Sequence, residues 1–124
     1  MNELRIGLTS CDDPNMADRI ARGLLDRGLA ACVKIDANVR SLYRWKGQLE
    51  DHSEIRLTIK FPARHGEAIE AFIMENHAYE VPEWIVLRPE SVGQKYLDWV
   101  TGVTALEYVR GKREGGIQLN EPQM

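Results

Sequence analysis

Two cysteines, Cys11 and Cys32, are the residues of this chain whose side chains could bind a soft metal ion or take part in redox chemistry. Thiolate groups are among the ligands that copper prefers. The two cysteines lack CxxC spacing, and they are too few for a disulfide-stabilised scaffold. Free thiols that pack as small apolar side chains are therefore the alternative interpretation.

Catalytic motifs are missing from the sequence. It contains no GxSxG, no HExxH and no glycine-rich phosphate loop. Asp12 and Asp13 are adjacent carboxylates that could serve acid–base chemistry, but Pro14 follows them directly. An acidic residue before a first-turn proline is typical of a helix N-cap. We therefore interpret the pair as capping residues and predict that the protein is not an enzyme.

The composition is that of an ordinary single domain of 124 residues. A net charge of −3, with lysine and arginine scattered among acidic residues, argues against nucleic acid as a partner. No apolar run is long enough to cross a bilayer. The first residues, MNELRIGLTS, resemble a strand more than a signal peptide. These features predict a cytoplasmic protein without a membrane partner.

The most informative pattern is the run SLYRWKGQLE from Ser41 to Glu50, which predicts a long β-hairpin that turns at Lys46-Gly47. Tyr43 and Trp45 share one face of its first arm with Val39 and Ser41. On the return arm, alternation predicts one face that carries Leu49, Ile55, Leu57, Ile59 and Phe61 and an opposite face that carries Glu54, Arg56, Thr58 and Lys60. Both arms are too long for a small domain to cover. Part of the hairpin should protrude and meet a partner chain.

Hydrophobic periodicity places the other elements around this hairpin. Leu4, Ile6 and Leu8 alternate with other residues as in a half-buried strand. Trp84 to Leu87 is a short apolar run, predicted to be a strand covered on both faces. Three helices are predicted, and their inward residues are Met16, Ala17, Ile20, Ala21, Leu24 and Leu25, then Ala68, Ile69, Phe72 and Ile73, then Tyr96, Leu97 and Val100.

The resulting order, β-α-β-β-α-β followed by a helix, predicts an α+β fold with the ferredoxin-like split βαβ layout. Both crossover helices then lie on one face of a four-stranded sheet. The other face, which carries Tyr43 and Trp45, should stay uncovered. Such a patch favours self-association with closed cyclic symmetry. We place the domain at residues 1–110 and predict a disordered tail at 111–124, where little can be buried.

Several ordered segments resemble the CutA family of divalent cation tolerance proteins. They are TSCDDPNMADRIARGLL, LAACV, SLYRWKGQLE, IRLTIK, HAYEVPEWIVL and YLDWV, and together they extend over roughly residues 4 to 103. The resemblance implies a homotrimer of ferredoxin-like subunits whose long hairpins pair across subunits. It also implies a role in tolerance of divalent metals. The architecture is similar to that of the PII signalling trimers, so a regulatory role is the analogous alternative.

The resemblance also implies a metal site. Family members with a proposed copper site carry cysteine at the position of Thr9 and a His-His pair at the positions of Asn76 and His77. This chain retains His77, and Cys11 could replace the missing thiol because it lies two residues from Thr9 on a strand. Cys32 matches the family's cysteine in LAACV. The expected ligands are therefore His77, Cys11 and Cys32, for copper or another divalent cation that folding does not require. Alternatively, His77 bonds a carbonyl at a helix end.

By the same resemblance, Lys60, Tyr79 and Glu83 match residues that line a cleft between subunits. A Lys–Glu pair there could bind a small anion, or it could be an ion pair that holds the trimer together. Tyr43 and Trp45 could stack on a ligand or form the core of the interface. The sequence thus favours a homotrimer that binds divalent cations weakly. The alternative is a regulatory or scaffold trimer that binds a small anion or a protein in its clefts.

Overall fold

The computed structural model describes residues 3–105. The predicted tail at 111–124 and the last residues of the predicted domain lie outside this range. Residues 3–105 form four strands, three α-helices and a 3-10 turn, in an order that confirms the predicted α+β pattern. They are β1 (Leu4–Cys11), α1 (Pro14–Asp26), β2 (Cys32–Trp45), β3 (Gln48–Pro62), the turn (Ala63–His65), α2 (Gly66–Asn76), β4 (Ile85–Leu87) and α3 (Gln94–Val103).

The four strands form one antiparallel sheet in the order β2-β3-β1-β4, which is the ferredoxin-like arrangement. In β1, residues Leu4 to Cys11 pair with Pro62 to Ile55 of β3. The part of β3 from Gln48 to Glu54 pairs only with β2, so this part of the hairpin extends past the rest of the sheet. The predicted protruding hairpin is confirmed.

Local backbone geometry shapes the hairpin. Trp45 pairs with Gln48, and the two loop residues between them, Lys46 and Gly47, have φ angles of 50° and 80°. Positive φ at both loop positions is the type I′ geometry that matches strand twist. Between Asp36 and Val39 the register shifts by a β-bulge, and Asn38 there has a φ of 61°. A bulge of this kind increases local twist where the hairpin leaves the globule.

One face of the sheet, here called the helix-covered face, carries α1 and α2. Leu57, Ile59 and Phe61 of β3 are fully buried there, as predicted. Asp13 caps α1, since its Oδ1 accepts a 2.8 Å hydrogen bond from the Asn15 N–H, which confirms the capping interpretation for this member of the pair. Leu25 was wrongly predicted to point inward. It is 43% exposed because it lies at the edge of the apolar stripe of α1.

Gly7 brings β1 unusually close to an aromatic side chain. A Cβ atom at this position would lie 2.4 Å from Cη2 and 2.7 Å from Cζ3 of Trp84. The Trp84 ring stacks on Phe61 with ring centroids 6.2 Å apart, so it fills the end of the core. Glycine is required here because any larger residue would displace the indole.

The other face of the sheet, here called the opposite face, is only partly covered. Helix α3 packs on it through Val100 and Val103 against Leu4 and Ala31, which corrects the expectation of an uncovered face. The β4 strand was expected to be covered on both faces, and this is wrong for a single chain. All three of its residues are exposed, because β4 is an edge strand with no element beyond it. In the described range no helix combines the length and hydropathy needed to span a membrane.

Candidate functional site

His77 lies just after α2, where both nitrogens of its ring are hydrogen bonded. Its Nδ1 accepts a 3.1 Å hydrogen bond from the backbone N–H of Tyr79. Because Nδ1 is the acceptor, Nε2 carries the proton and donates to the Ser10 carbonyl oxygen at 2.7 Å. In this arrangement no imidazole lone pair is left for a metal ion. His77 ties the end of α2 to the end of β1, which is close to the alternative interpretation of a carbonyl-bonding histidine.

The two cysteines lie on different sides of the sheet. Cys11 is fully buried in the helix-covered core, where its Sγ lies 3.6 Å from the Asp13 carbonyl oxygen. Burial raises the pKa of this thiol, which disfavours the thiolate that a metal needs. Cys32 pairs in register with Lys60, which itself pairs with Ile6 of the opposite face.

The three predicted ligands therefore do not converge within one chain. Over residues 3–105 the structure contains no group of three or more histidine, cysteine, aspartate or glutamate residues arranged to hold a metal ion. A copper site built from Cys11, Cys32 and His77 does not fit a single subunit. The choice of these ligands stays a prediction.

Tyr79 and Glu83, which the family resemblance places at a cleft between subunits, lie near Tyr43 and Trp45 within one chain. Tyr43 and Trp45 of β2 face Tyr79 and Glu83 of the loop between α2 and β4 across a groove of about 650 Å³. We call this the hairpin groove. Its lining residues are Ser10, Arg40, Ser41, Leu42, Tyr43, Trp45, Glu54, Tyr79, Glu80, Val81 and Glu83.

Lys60 is not part of this groove. It lies at the far end of β3, level with Ile6 of β1 and Cys32 of β2. No Lys60–Glu83 ion pair forms within the described part of the chain. A pair between these residues would require two subunits.

Glu54 is a groove residue that the sequence did not single out. Strand alternation places it on the face of β3 away from Ile55, and there it is only 6% exposed. The Tyr79 hydroxyl donates a 2.6 Å hydrogen bond to Glu54 Oε2 and covers the carboxylate. Burial and this bond to Glu54 hold the pKa of the Tyr79 phenol well above its usual range, so the hydroxyl stays protonated as the donor. No local pattern could reveal this contact, because the partners are 25 positions apart.

The charges around the hairpin groove are mainly negative. Glu54, Glu80 and Glu83 line it, and Arg40 is its one basic lining residue. The Arg40 guanidinium is already bound to Asp51 by hydrogen bonds of 3.0 and 2.8 Å. Glu80 is paired with the Lys46 ammonium group at 3.9 Å. The excess of carboxylates still makes the groove of one chain a poor site for the small anion considered above.

Comparison with known proteins is consistent with the fold described here. Residues 6–103 match the family model described as CutA1 divalent ion tolerance protein. Over 97 residues the chain is 39% identical to the protein CutA homolog of Xenopus laevis, a match that covers 78% of this chain but only 64% of that relative. It is 38% identical over 93 residues to the divalent-cation tolerance protein CutA of Pectobacterium atrosepticum, which covers 75% of this chain and 84% of the relative.

A solved structure agrees with both sequence matches. The crystal structure of CutA from Xylella fastidiosa superposes with a TM-score of 0.80 at 32% identity, covering 83% of this chain and 99% of that one. The family model begins within β1 and extends to the end of α3. The order of the elements, the sheet topology and the extent of these matches together show that the chain belongs to the CutA1 divalent ion tolerance protein family.

Proposed function

We propose that this chain contributes to divalent-cation tolerance as a non-catalytic homotrimer that binds divalent cations weakly. The observation that carries the proposal is the unprotected state of the sheet edges in one chain. The β2 and β4 strands both end the sheet, and β2 runs for 14 residues, far beyond the elements that could cover it. An exposed edge of this length pairs readily with another chain.

Exposed apolar side chains lie along the same edges and support self-association. Leu42 and Leu49 of the hairpin are 55% and 60% exposed, and Ile85, Val86 and Leu87 of β4 are 44–47% exposed. A neighbour that paired β2 with β4 would cover both sets and satisfy the free backbone groups. Such a contact joins unlike surfaces, so cyclic closure is needed to avoid fibres.

Sedimentation equilibrium tests the assembly. A particle of three times 14.2 kDa at micromolar concentration is the expected result. An Ile85→Asp, Leu87→Asp double variant should shift the equilibrium toward smaller species, because buried charges at the edge are unfavourable. The matched control is Met74→Asp, which changes an exposed apolar residue of α2 outside both edge strands. A single 14.2 kDa species for the unmodified chain would contradict the proposal.

Weak cation binding is the second part of the proposal, with donor atoms drawn from more than one subunit. Its support is the family's link to divalent cations. Because Cys11, Cys32 and His77 do not converge among the described residues, the donor atoms would have to come from more than one subunit. Copper and zinc are the ions to titrate. Calorimetry on the assembled protein should give affinities for His77→Ala within roughly twofold of the unmodified chain, because both ring nitrogens are engaged internally.

Two calorimetric results would contradict the cation proposal. One is the absence of binding heat for both ions, and the other is saturable heat that is unchanged when excess EDTA is present. Complete loss of binding in His77→Ala with the trimer intact would instead identify His77 as a ligand despite its two internal hydrogen bonds. A Cys32→Ser variant tests the thiol on the opposite face separately. The cytoplasmic location is also proposed from the sequence, and cell fractionation with an antibody against the chain tests it.

A further inference from the structure

Three titratable residues lie in a row on one face of the projecting hairpin. Glu50, His52 and Glu54 occupy alternate positions of β3, so their side chains point to the same side, about 7 Å apart along the strand. We call these three residues the hairpin stripe. The β2 residues that pair with them are uncharged at neutral pH, namely Tyr43, Ser41 and Val39. The stripe therefore combines two carboxylates with one imidazole.

His52 is the residue of the stripe that can become a cation. Its Nε2 lies 2.8 Å from Glu50 Oε1, and its ring centre lies 6.1 Å from that of Tyr43. The hydrogen bond to Glu50, together with the charges of Glu50, Glu54 and Asp51, raises the pKa of His52. Protonation of the imidazole compensates one carboxylate of the stripe.

The basic side chains of the hairpin do not take over this role. Arg40 and Arg44 alternate on β2 with the partners of the stripe, so they point to the other face, where Arg40 binds Asp51 at 3.0 and 2.8 Å. Lys46 at the turn is paired with Glu80. Among residues 3–105 no lysine or arginine is recorded in an ion pair with the stripe.

The elements that lie near the stripe add further acidic groups. Asp12, between β1 and α1, acts electrostatically on Tyr79. Glu83, on the loop between α2 and β4, lines the hairpin groove together with Glu54. The Tyr79 hydroxyl donates to Glu54 and stays neutral. A proton on His52 therefore reduces an excess of negative charge.

Self-association changes how strongly these charges interact. In the single chain the side chains of His52 and Glu50 are 52% and 32% exposed, so water screens them. A neighbouring copy that covers the hairpin removes this water, which makes uncompensated carboxylates more unfavourable and ion pairs stronger. Assembly should therefore raise the proton affinity of His52. By linkage, protonation of His52 then strengthens assembly by the same factor.

We propose that His52 is a proton-sensitive switch of self-association, in which its protonated imidazole compensates Glu50 and Glu54 at the contact between copies. The switch presupposes the homotrimer proposed above and adds regulation by pH to it. The pKa of His52 is then higher in the assembly than in the free subunit. The added stabilisation is complete below the free-subunit pKa and is lost as pH rises through the assembled pKa. The trimer is therefore weaker at alkaline than at mildly acidic pH.

Subunit exchange measures the switch. Isotope-labelled and unlabelled trimers are mixed at about pH 6 and at about pH 8, on either side of the ordinary histidine pKa, and native mass spectrometry follows the mixed species. The unmodified chain should exchange roughly threefold or more faster at the higher pH, which corresponds to a pKa difference of about 0.5. His52→Gln cannot be protonated and should exchange equally fast at both. The matched control is His65→Gln, whose ring binds the Leu29 carbonyl away from the hairpin, and it should keep the pH dependence.

A second variant keeps the test decisive if His52→Gln fails to assemble. Glu50→Gln removes the carboxylate beside the imidazole and should reduce the pH dependence of exchange. NMR titration should also place the His52 midpoint higher in the trimer than in dissociated subunits of the Ile85→Asp, Leu87→Asp variant.

The switch and the assembly fail in different ways. Equal exchange rates of the unmodified trimer at the two pH values would overturn the switch, and so would an unchanged pH dependence in His52→Gln. Both results leave the trimer itself in place. A single 14.2 kDa species at both pH values would instead contradict the assembly, and the switch with it.

Discussion

The two faces of the sheet differ in what their side chains do. On the helix-covered face, Leu57, Ile59 and Phe61 are fully buried and pack as an apolar core under α1 and α2. On the opposite face, α3 covers one end, and the hairpin end carries the acidic aromatic groove. Successive side chains of β3 point to opposite faces of the sheet. A single strand thus supports the core on one side and a polar groove on the other.

This difference separates stability from binding. Substitutions on the helix-covered face should lower the free energy of unfolding, because its packing is dense and cannot relax. Substitutions in the groove should mainly change ligand binding or assembly. The Tyr79–Glu54 hydrogen bond should affect both stability and binding, because the bond is partly buried and both residues line the groove.

The largest expected difference in stability between the two faces of the sheet comes from adding one methyl group on each of them. Gly7→Ala forces the new Cβ against Trp84 and should lower the free energy of unfolding by about 1–3 kcal/mol. Gly102→Ala in α3 meets no atom within 4 Å, so it should be neutral or stabilise the helix by up to about 1 kcal/mol. Urea unfolding at one protein concentration measures both. Equal effects of the two substitutions would contradict the contrast between the faces.

Removing a single hydroxyl tests the residue pair that joins the two roles. Tyr79→Phe leaves the buried Glu54 carboxylate without its donor, which should cost about 1–2 kcal/mol of stability. Tyr43→Phe is the control, because it removes a hydroxyl of the same groove for which the described structure records no hydrogen bond. Chemical denaturation measures each variant. If Tyr43→Phe lowers the free energy of unfolding by as much as Tyr79→Phe does, the loss cannot be attributed to the hydrogen bond with Glu54.

The smallest expected effect lies on the exposed hairpin. His52 Nε2 and Glu50 Oε1 are 2.8 Å apart, and this hydrogen bond raises the pKa of His52. Because the pKa is raised in the folded state, the stabilisation is complete below the unfolded pKa of about 6.5 and is lost as pH rises through the higher folded value. NMR titration should therefore place the His52 midpoint above that of a denatured peptide. In Glu50→Gln the midpoint should fall back toward about 6.5.

The order of elements could be predicted because it depends on neighbours in sequence. The Lys46-Gly47 turn, the Asp13-Pro14 helix start and the alternation along β3 are each local, and the structure confirms them. The coverage of β4 could not be predicted in the same way. A continuous apolar run is typical of a buried strand, but Ile85–Leu87 lies at the sheet edge, and its position depends on the topology of the whole chain.

The candidate site was only partly predictable. Tyr43, Trp45, Tyr79 and Glu83 were expected in one cleft, and the structure brings these four together. Lys60 was expected with them in a cleft between subunits. Within one chain the strand register places it at the other end of β3, so its place in such a cleft stays a prediction. These placements depend on pairing between strands that are far apart in the sequence.

By itself, the sequence determined the α+β order of elements, the long hairpin and the family, because periodicity, turn residues and ordered segments are all read along the chain. Only the tertiary structure decided that the cysteines lie on opposite sides of the sheet, that both nitrogens of His77 are engaged, and that Glu54 is buried beneath Tyr79. The physical reason is distance along the chain. Hydrogen bonds between residues 25 or 67 positions apart form only where the tertiary fold brings the two residues together.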